Sequence, residues 1–209
     1  MIQWLYNEWN TLASKYSEDE ELISTYWNEI KTHYNSKSRH YHNLSHIYNM
    51  LLQIEVLKSS IINYDLCRFT IWYHDIIYKS TKKNNELKSA EFAKNRLKPL
   101  DLDEKSIEIV QKLIKSTQKH ELVLRENDDN AYVLDLDLSI LGSNWDTYKK
   151  YTDNIRKEYA IYPDFMYSPG RKKVLAHFLN RDTLYFTDYF RNKYENQARE
   201  NLKREFELL

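Results

Sequence analysis

Apolar residues recur at three- and four-residue spacing along almost the whole chain and nowhere alternate convincingly, so the pattern predicts amphipathic helices and no sheet. A first helix is expected over residues 4–16. A capping box, Ser17 with Glu20 three residues later, opens a second helix carrying Leu22, Ile23, Tyr26, Trp27 and Ile30. A polar connection, residues 34–43, leads to Asn43, which is placed to cap a third helix holding Leu44, Ile47, Leu51, Ile54 and Val56. The stretch YDLCRFTIWYHDIIY, residues 64–78, is apolar around most of its circumference, which predicts a helix at the centre of the bundle.

Further helices are expected over 85–97, stopped by Pro99, from Asp103 through Ile114, and over 129–141 with Gly142 as a left-handed C-terminal residue. Ser143 with Asp146 opens the next, running to Tyr159. After a loop, 161–169, the segments 170–180 and 188–209 complete the set. No internal repeat, low-complexity tract or linker interrupts the 209 residues, so the expectation is one all-α domain, a single-domain helical bundle over 1–209.

Composition narrows the chemistry by exclusion. Lys plus Arg and Asp plus Glu each total 31, so net charge gives no reason to expect duplex nucleic acid or an acidic membrane as partner. Only two glycines are present, Gly142 and Gly170, too few for the glycine-rich cradles of P-loop or dinucleotide-binding folds. Cys67 is alone, which removes an intramolecular disulfide and a cysteine-based zinc site. The opening MIQWLYNEWN has neither the basic nor the apolar region of a signal peptide, and no apolar run approaches membrane-spanning length, so a cytoplasmic location is expected.

Chemistry-bearing residues cluster in four places. His74-Asp75 lies among Ile71, Trp72, Tyr73, Ile76 and Ile77; an ionisable pair there either binds a cation or is a core histidine bonded to a carbonyl, with its aspartate facing water. Asp135 and Asp137 share a helix but sit about 200° apart. The helical neighbours of Asp137 are Val133, Leu134, Ile140 and Leu141, which predicts Asp137 as the buried carboxylate: a metal ligand, or else a cap or salt-bridge partner. His42 and His46 are spaced i, i+4, with His46 the surer ligand because Asn43 caps the helix between them. His120 follows a buried helix and is a further ligand, a phosphate contact or an exposed loop histidine. Residues 79–98 are locally basic, which is a solvated face or an attraction for phosphate.

Taken together, His46, His74-Asp75 and Asp137, each on its own helix, resemble the H…HD…D signature of the HD-domain superfamily of metal-dependent phosphohydrolases. The blocks RHYHNLSHI (39–47), IWYHDIIY (71–78), NELKSA (85–90), LDLDLSILG (134–142), IRKEY (155–159) and GRKKVLAHFLNRDTLYFT (170–187) resemble those of a small stand-alone family of predicted HD phosphohydrolases. The resemblance spans residues 1–205. It implies a bundle of the HD type in which His46, His74, Asp75 and Asp137 hold one divalent metal ion (Mn, Mg, Co, Ni, Zn or Fe), with a second ion as the alternative. The implied activity is hydrolysis of a small phosphate ester, such as a nucleotide or related metabolite, by a metal-activated water. Asp75 and Glu86 would take the catalytic roles, Glu86 orienting water or shuttling a proton. The alternative for Glu86 is an exposed carboxylate paired with Lys82 or Lys83. Arg39, Arg156 and Arg171, with His42, Lys79 and His120, are the candidates for holding the phosphorylated substrate; Arg181 is a candidate too, or a staple between the last helices. Competing expectations are a di-iron oxygenase, in which His42 and His120 supply extra ligands, and a catalytically silent ligand-binding protein.

Overall fold

Ten helices can bury their apolar stripes against one another without a sheet, and among the described residues, 1–124 and 126–209 of a computed structural model, there is no strand. The helices are α1 (Ile2–Ala13), α2 (Glu20–Tyr34), α3 (Leu44–Val56), α4 (Tyr64–Tyr73), α5 (Asn85–Leu97), α6 (Glu104–Ser116), α7 (Asp129–Leu138), α8 (Trp145–Glu158), α9 (Asp164–Leu179) and α10 (Asp188–Leu208). They form one all-α domain.

The all-round apolar α4 is central, packing against α3, α5, α6 and α7. Its Cys67, Phe69, Ile71, Trp72 and Tyr73 are fully buried. Around Trp72 the rings of Trp9 and Trp27 stand edge-to-face at 5.9 and 6.2 Å, the geometry that aromatic quadrupoles favour. No helix among the described residues is long and apolar enough to cross a membrane.

Several boundaries differ from the sequence expectation. The cap of α2 is Asp19, whose carboxylate accepts from the Leu22 N–H at 2.9 Å; Ser17 only accepts from the Asp19 N–H. A charged acceptor outcompetes a hydroxyl for the same donors. In α8 the cap is Asn144, accepting from Thr147, while the Ser143 hydroxyl donates to the Ile140 carbonyl. The helix α4 stops at Tyr73 instead of continuing to residue 78. The helix α9 begins at Asp164 and runs through Pro169, so most of the expected loop 161–169 is helix. The carbonyl that Pro169 leaves unpaired belongs to exposed Phe165, where water can satisfy it.

Gly142 is not left-handed, for no glycine has positive φ. It ends a 3₁₀ turn, Ser139–Gly142, on which α10 packs. A Cβ at position 142 would lie 2.4 Å from the Tyr194 Cβ, so close approach of the helix, not backbone conformation, requires glycine there.

Candidate functional site

Three elements converge on one point. Asn43, capping α3 by accepting from the Ser45 N–H at 2.8 Å, sets the first turn that carries buried His46. The early end of α4 matters more. It leaves His74 as the C-cap, still with helical φ and ψ, and Asp75 outside the helix, and the side chains of both reach the site. The His74 Nε2 lies 3.2 Å from the Asp75 Oδ2 and 3.2 Å from the His46 Nε2. From α7, the Asp137 Oδ1 comes within 3.1 Å of the His46 Nε2 and 3.7 Å of the His74 Nε2.

A backbone carbonyl can only accept, so the 2.9 Å contact to the Ile71 oxygen fixes the hydrogen on His74 Nδ1. That contact directs Nε2 at the cluster. One ligand atom each from His46, His74 and Asp75 lies within 4.8 Å of the others. Burial lowers the pKa of His46. Burial also opposes a charged His74, but Asp75 and Asp137 outweigh it and push its pKa up to about 9. Burial would raise both aspartates; the imidazoles of His74 and His42 hold Asp75 well below the carboxylate range, and those of His120 and His46 do the same for Asp137.

The burial expectation for α7 is reversed. Asp135 is the fully buried carboxylate, accepting from the N–H groups of Phe186 and Thr187 at 2.8 Å each and from the Thr187 hydroxyl at 2.7 Å. Asp137 keeps 15 % of its side chain exposed because it borders an open cavity. The two do face opposite sides, as helical phase requires. What the neighbour pattern could not show is that the loop before α10 closes over Asp135.

Two outer histidines flank the cluster. His42 Nε2 is 4.0 Å from Asp75 Oδ2, and its ring stacks on Tyr78 at 4.1 Å. Its Nδ1 is held at 2.6 Å by Glu158 Oε2, while Glu158 Oε1 accepts from the backbone N–H groups of His40, Tyr41 and His42 at 2.7–2.9 Å. Burial opposes the charge of His42, but Asp75 and Glu158 raise its pKa. His120 Nε2 sits 3.0 Å from Asp137 Oδ2, aimed there by a left-handed backbone with φ of 51°. Its open alternatives narrow to a half-buried residue of the site.

Glu158 is the residue beside the site that the sequence reading did not single out. Its signal was available: it shares a face of α8 with Ile155 and Tyr151, an unusual place for glutamate unless it is bonded.

The expected phosphate-holding cations are mostly engaged elsewhere. Arg39 is buried beneath the site, donating to the carbonyls of His42, Asp75 and Ile76, so it ties two segments of the site together. Arg156 donates to Asp164 and to the carbonyls of Tyr159 and Tyr162. Arg181 donates to the Lys119 carbonyl. Lys79 is exposed, and it does not line the cavity. Only Arg171 reaches the cavity, with its guanidinium bonded to Glu205 at 2.7 and 3.0 Å. The spacing of basic residues in a sequence does not reveal which carbonyls or carboxylates will capture them.

The cavity itself measures about 560 Å³ and is lined by His42, Asp75, Glu86, His120 and Asp137 together with six tyrosines and an aliphatic wall. Half-buried Glu86 makes no ion pair with Lys82 or Lys83; burial, with Asp75 and Asp137 nearby, raises its pKa. Compared with models of protein families, with curated proteins and with solved structures, the chain finds no match.

Proposed function

We propose that this chain is a divalent-metal-dependent hydrolase of a small phosphate ester. The observation that carries the reading is the convergence of His46, His74, Asp75 and Asp137 from three separate elements at the wall of a cavity. The donor set fits a divalent cation: two imidazoles and two carboxylates, a mixture suited to Mn, Fe, Co, Ni or Zn. Among the described residues, no lysine or arginine side chain bonds to either carboxylate, so imidazoles alone face them. A cation at this point supplies Lewis-acid chemistry, acidifying water and polarising a phosphoryl oxygen.

The remaining side chains have separable roles. Glu86, lining the cavity with a raised pKa, is placed to take a proton from attacking water. Glu158 holds His42 so that its Nε2 points toward Asp75. Arg39, by gripping the carbonyls on both sides of the site, keeps the His42 segment and the His74-Asp75 turn in register. The resemblance of the signature residues to HD-type phosphohydrolases points the same way.

The test is metal analysis together with hydrolysis of a chromogenic phosphate ester after chelation, and again with Mn, Mg, Co and Zn. One bound ion, loss of turnover on chelation and its return with metal are expected. Absence of turnover with every metal would overturn the reading. A second reading, a di-iron oxygenase, is favoured by one observation: His42 and His120 flank Asp75 and Asp137 on their outer sides. Two irons per chain would select it.

A further inference from the structure

The wall of the cavity narrows the substrate class, an inference that rests on the hydrolase reading. Charge is the first constraint. Among the described residues, Arg171 is the one guanidinium or ammonium group lining the cavity, and Glu205 already neutralises it. Asp75, Asp137 and Glu86 line the same space. A single divalent cation would offset two of these three charges, and its open coordination positions are the one place where a phosphate can be held. Beyond the cation the cavity offers, among the described residues, only the imidazoles of His42, already held by Glu158, and His120, so each additional phosphate would bring negative charge into a partly desolvated site with no free lysine or arginine to pair with it.

Shape is the second constraint. The segments from α8 through α9 present Tyr151, Ile155, Tyr159, Met166, Val174 and Phe178 to the cavity, a wall better suited to an apolar or aromatic body than to a polyol. Within that wall lies Gly170, well inside α9. Mid-helix glycine is unfavourable relative to alanine, and Gly170 does not have positive φ. Nor does packing demand it: a Cβ there would meet nothing within 4 Å, in contrast to Gly142. Gly170 is exposed where the cavity opens to solvent, so neither backbone nor neighbours account for the missing side chain, and what it leaves is room at the cavity's mouth.

We propose that the space before Gly170 receives the organic body of the substrate, a monoester with one phosphate and a bulky, uncharged, aromatic or aliphatic group. Gly170 is the specificity-determining position.

Gly170→Leu tests this directly, because the added side chain enters open space in a helix that favours leucine over glycine. Manganese-loaded wild type and variant are assayed with 1-naphthyl phosphate, AMP, glycerol 3-phosphate and ATP. Binding of 1-naphthylphosphonate, which cannot be hydrolysed, is followed by intrinsic fluorescence. Wild type is expected to favour 1-naphthyl phosphate over glycerol 3-phosphate and ATP by at least about tenfold in kcat/KM. Gly170→Leu should lose that preference and bind the phosphonate about tenfold more weakly, with metal content and the glycerol 3-phosphate rate unchanged. Gly170→Ala should show a smaller loss in the same direction. AMP turnover as sensitive to Gly170→Leu as 1-naphthyl phosphate turnover supports the inference, with a nucleobase as the body. Preference for ATP or glycerol 3-phosphate, or a Gly170→Leu variant that handles 1-naphthyl phosphate and its phosphonate as wild type does, overturns it. Should no ester turn over while the phosphonate binds wild type and not Gly170→Leu, the hydrolase reading fails and the bulky-bodied ligand stands.

Discussion

Asp135 and Asp137 stand two residues apart on α7 and have opposite fates. Asp135 is sealed from solvent and surrounded by donors whose positions the backbone fixes: two N–H groups and the Thr187 hydroxyl. Asp137 is more exposed, and its partners are the imidazoles of His46 and His120, which can exchange a proton for a cation. Complete burial therefore marks the carboxylate that holds the chain together, and titratable partners mark the one available for chemistry. The pKa directions agree: burial pushes Asp135 up to about 6 against its donors, whereas the imidazoles hold Asp137 down.

The sharpest way to break this contrast is to neutralise each aspartate in turn. Asp137→Asn should fold normally yet lose metal affinity by at least about a hundredfold, with turnover falling in parallel; metal content and ester hydrolysis measure both. Normal metal content in this variant would dissolve the distinction. Next in size, Glu86→Gln should lower turnover about a hundredfold while leaving metal content intact, since a proton-transfer group does not ligate. Full activity at equal occupancy would remove Glu86 from the chemistry.

Asp135→Ala should leave the metal in place but cost about 3 kcal/mol in urea denaturation, because the Phe186 and Thr187 donors lose their acceptor. Were its unfolding midpoint unchanged, the loop before α10 would not depend on this carboxylate.

The smallest effect belongs to Glu158, a third carboxylate that combines both kinds of partner, backbone N–H groups and a histidine. Burial opposes its charge, but His42 and the backbone donors lower its pKa from 4.5 to about 2. A depressed carboxylate contributes stability that is fully present above its unfolded pKa and lost as pH falls through its folded pKa. The gap in stability between wild type and Glu158→Gln should therefore be about 2 kcal/mol above pH 4.5 and should close as pH drops toward 2. A gap independent of pH in that window would show that the charge of Glu158 is not what holds the segment.

Helix number and type were legible in the chain because periodic burial is local. The all-round apolar stretch at 64–78 had to be central, although its helix ends at Tyr73, and Asn43 had to cap α3. The α7 phase was legible for the same reason, and it separates Asp135 from Asp137. Local pattern offered His46, His74, Asp75 and Asp137 only as candidates with other readings open, and the resemblance to HD-type phosphohydrolases grouped them.

Other features depend on which segment arrives from elsewhere, and no local pattern encodes that. The loop before α10 comes fifty residues after Asp135 and reverses the burial expected on α7. Glu158 reaches back more than a hundred residues to His42. The carbonyls that capture Arg39 and the carboxylate that captures Arg171 are likewise distant. Gly142 and Gly170 look alike in the sequence; only packing shows that Tyr194 fills the space at one and a cavity opens at the other. Propensity and periodicity act over a few residues, whereas burial, charge pairing and open space are properties of the assembled fold.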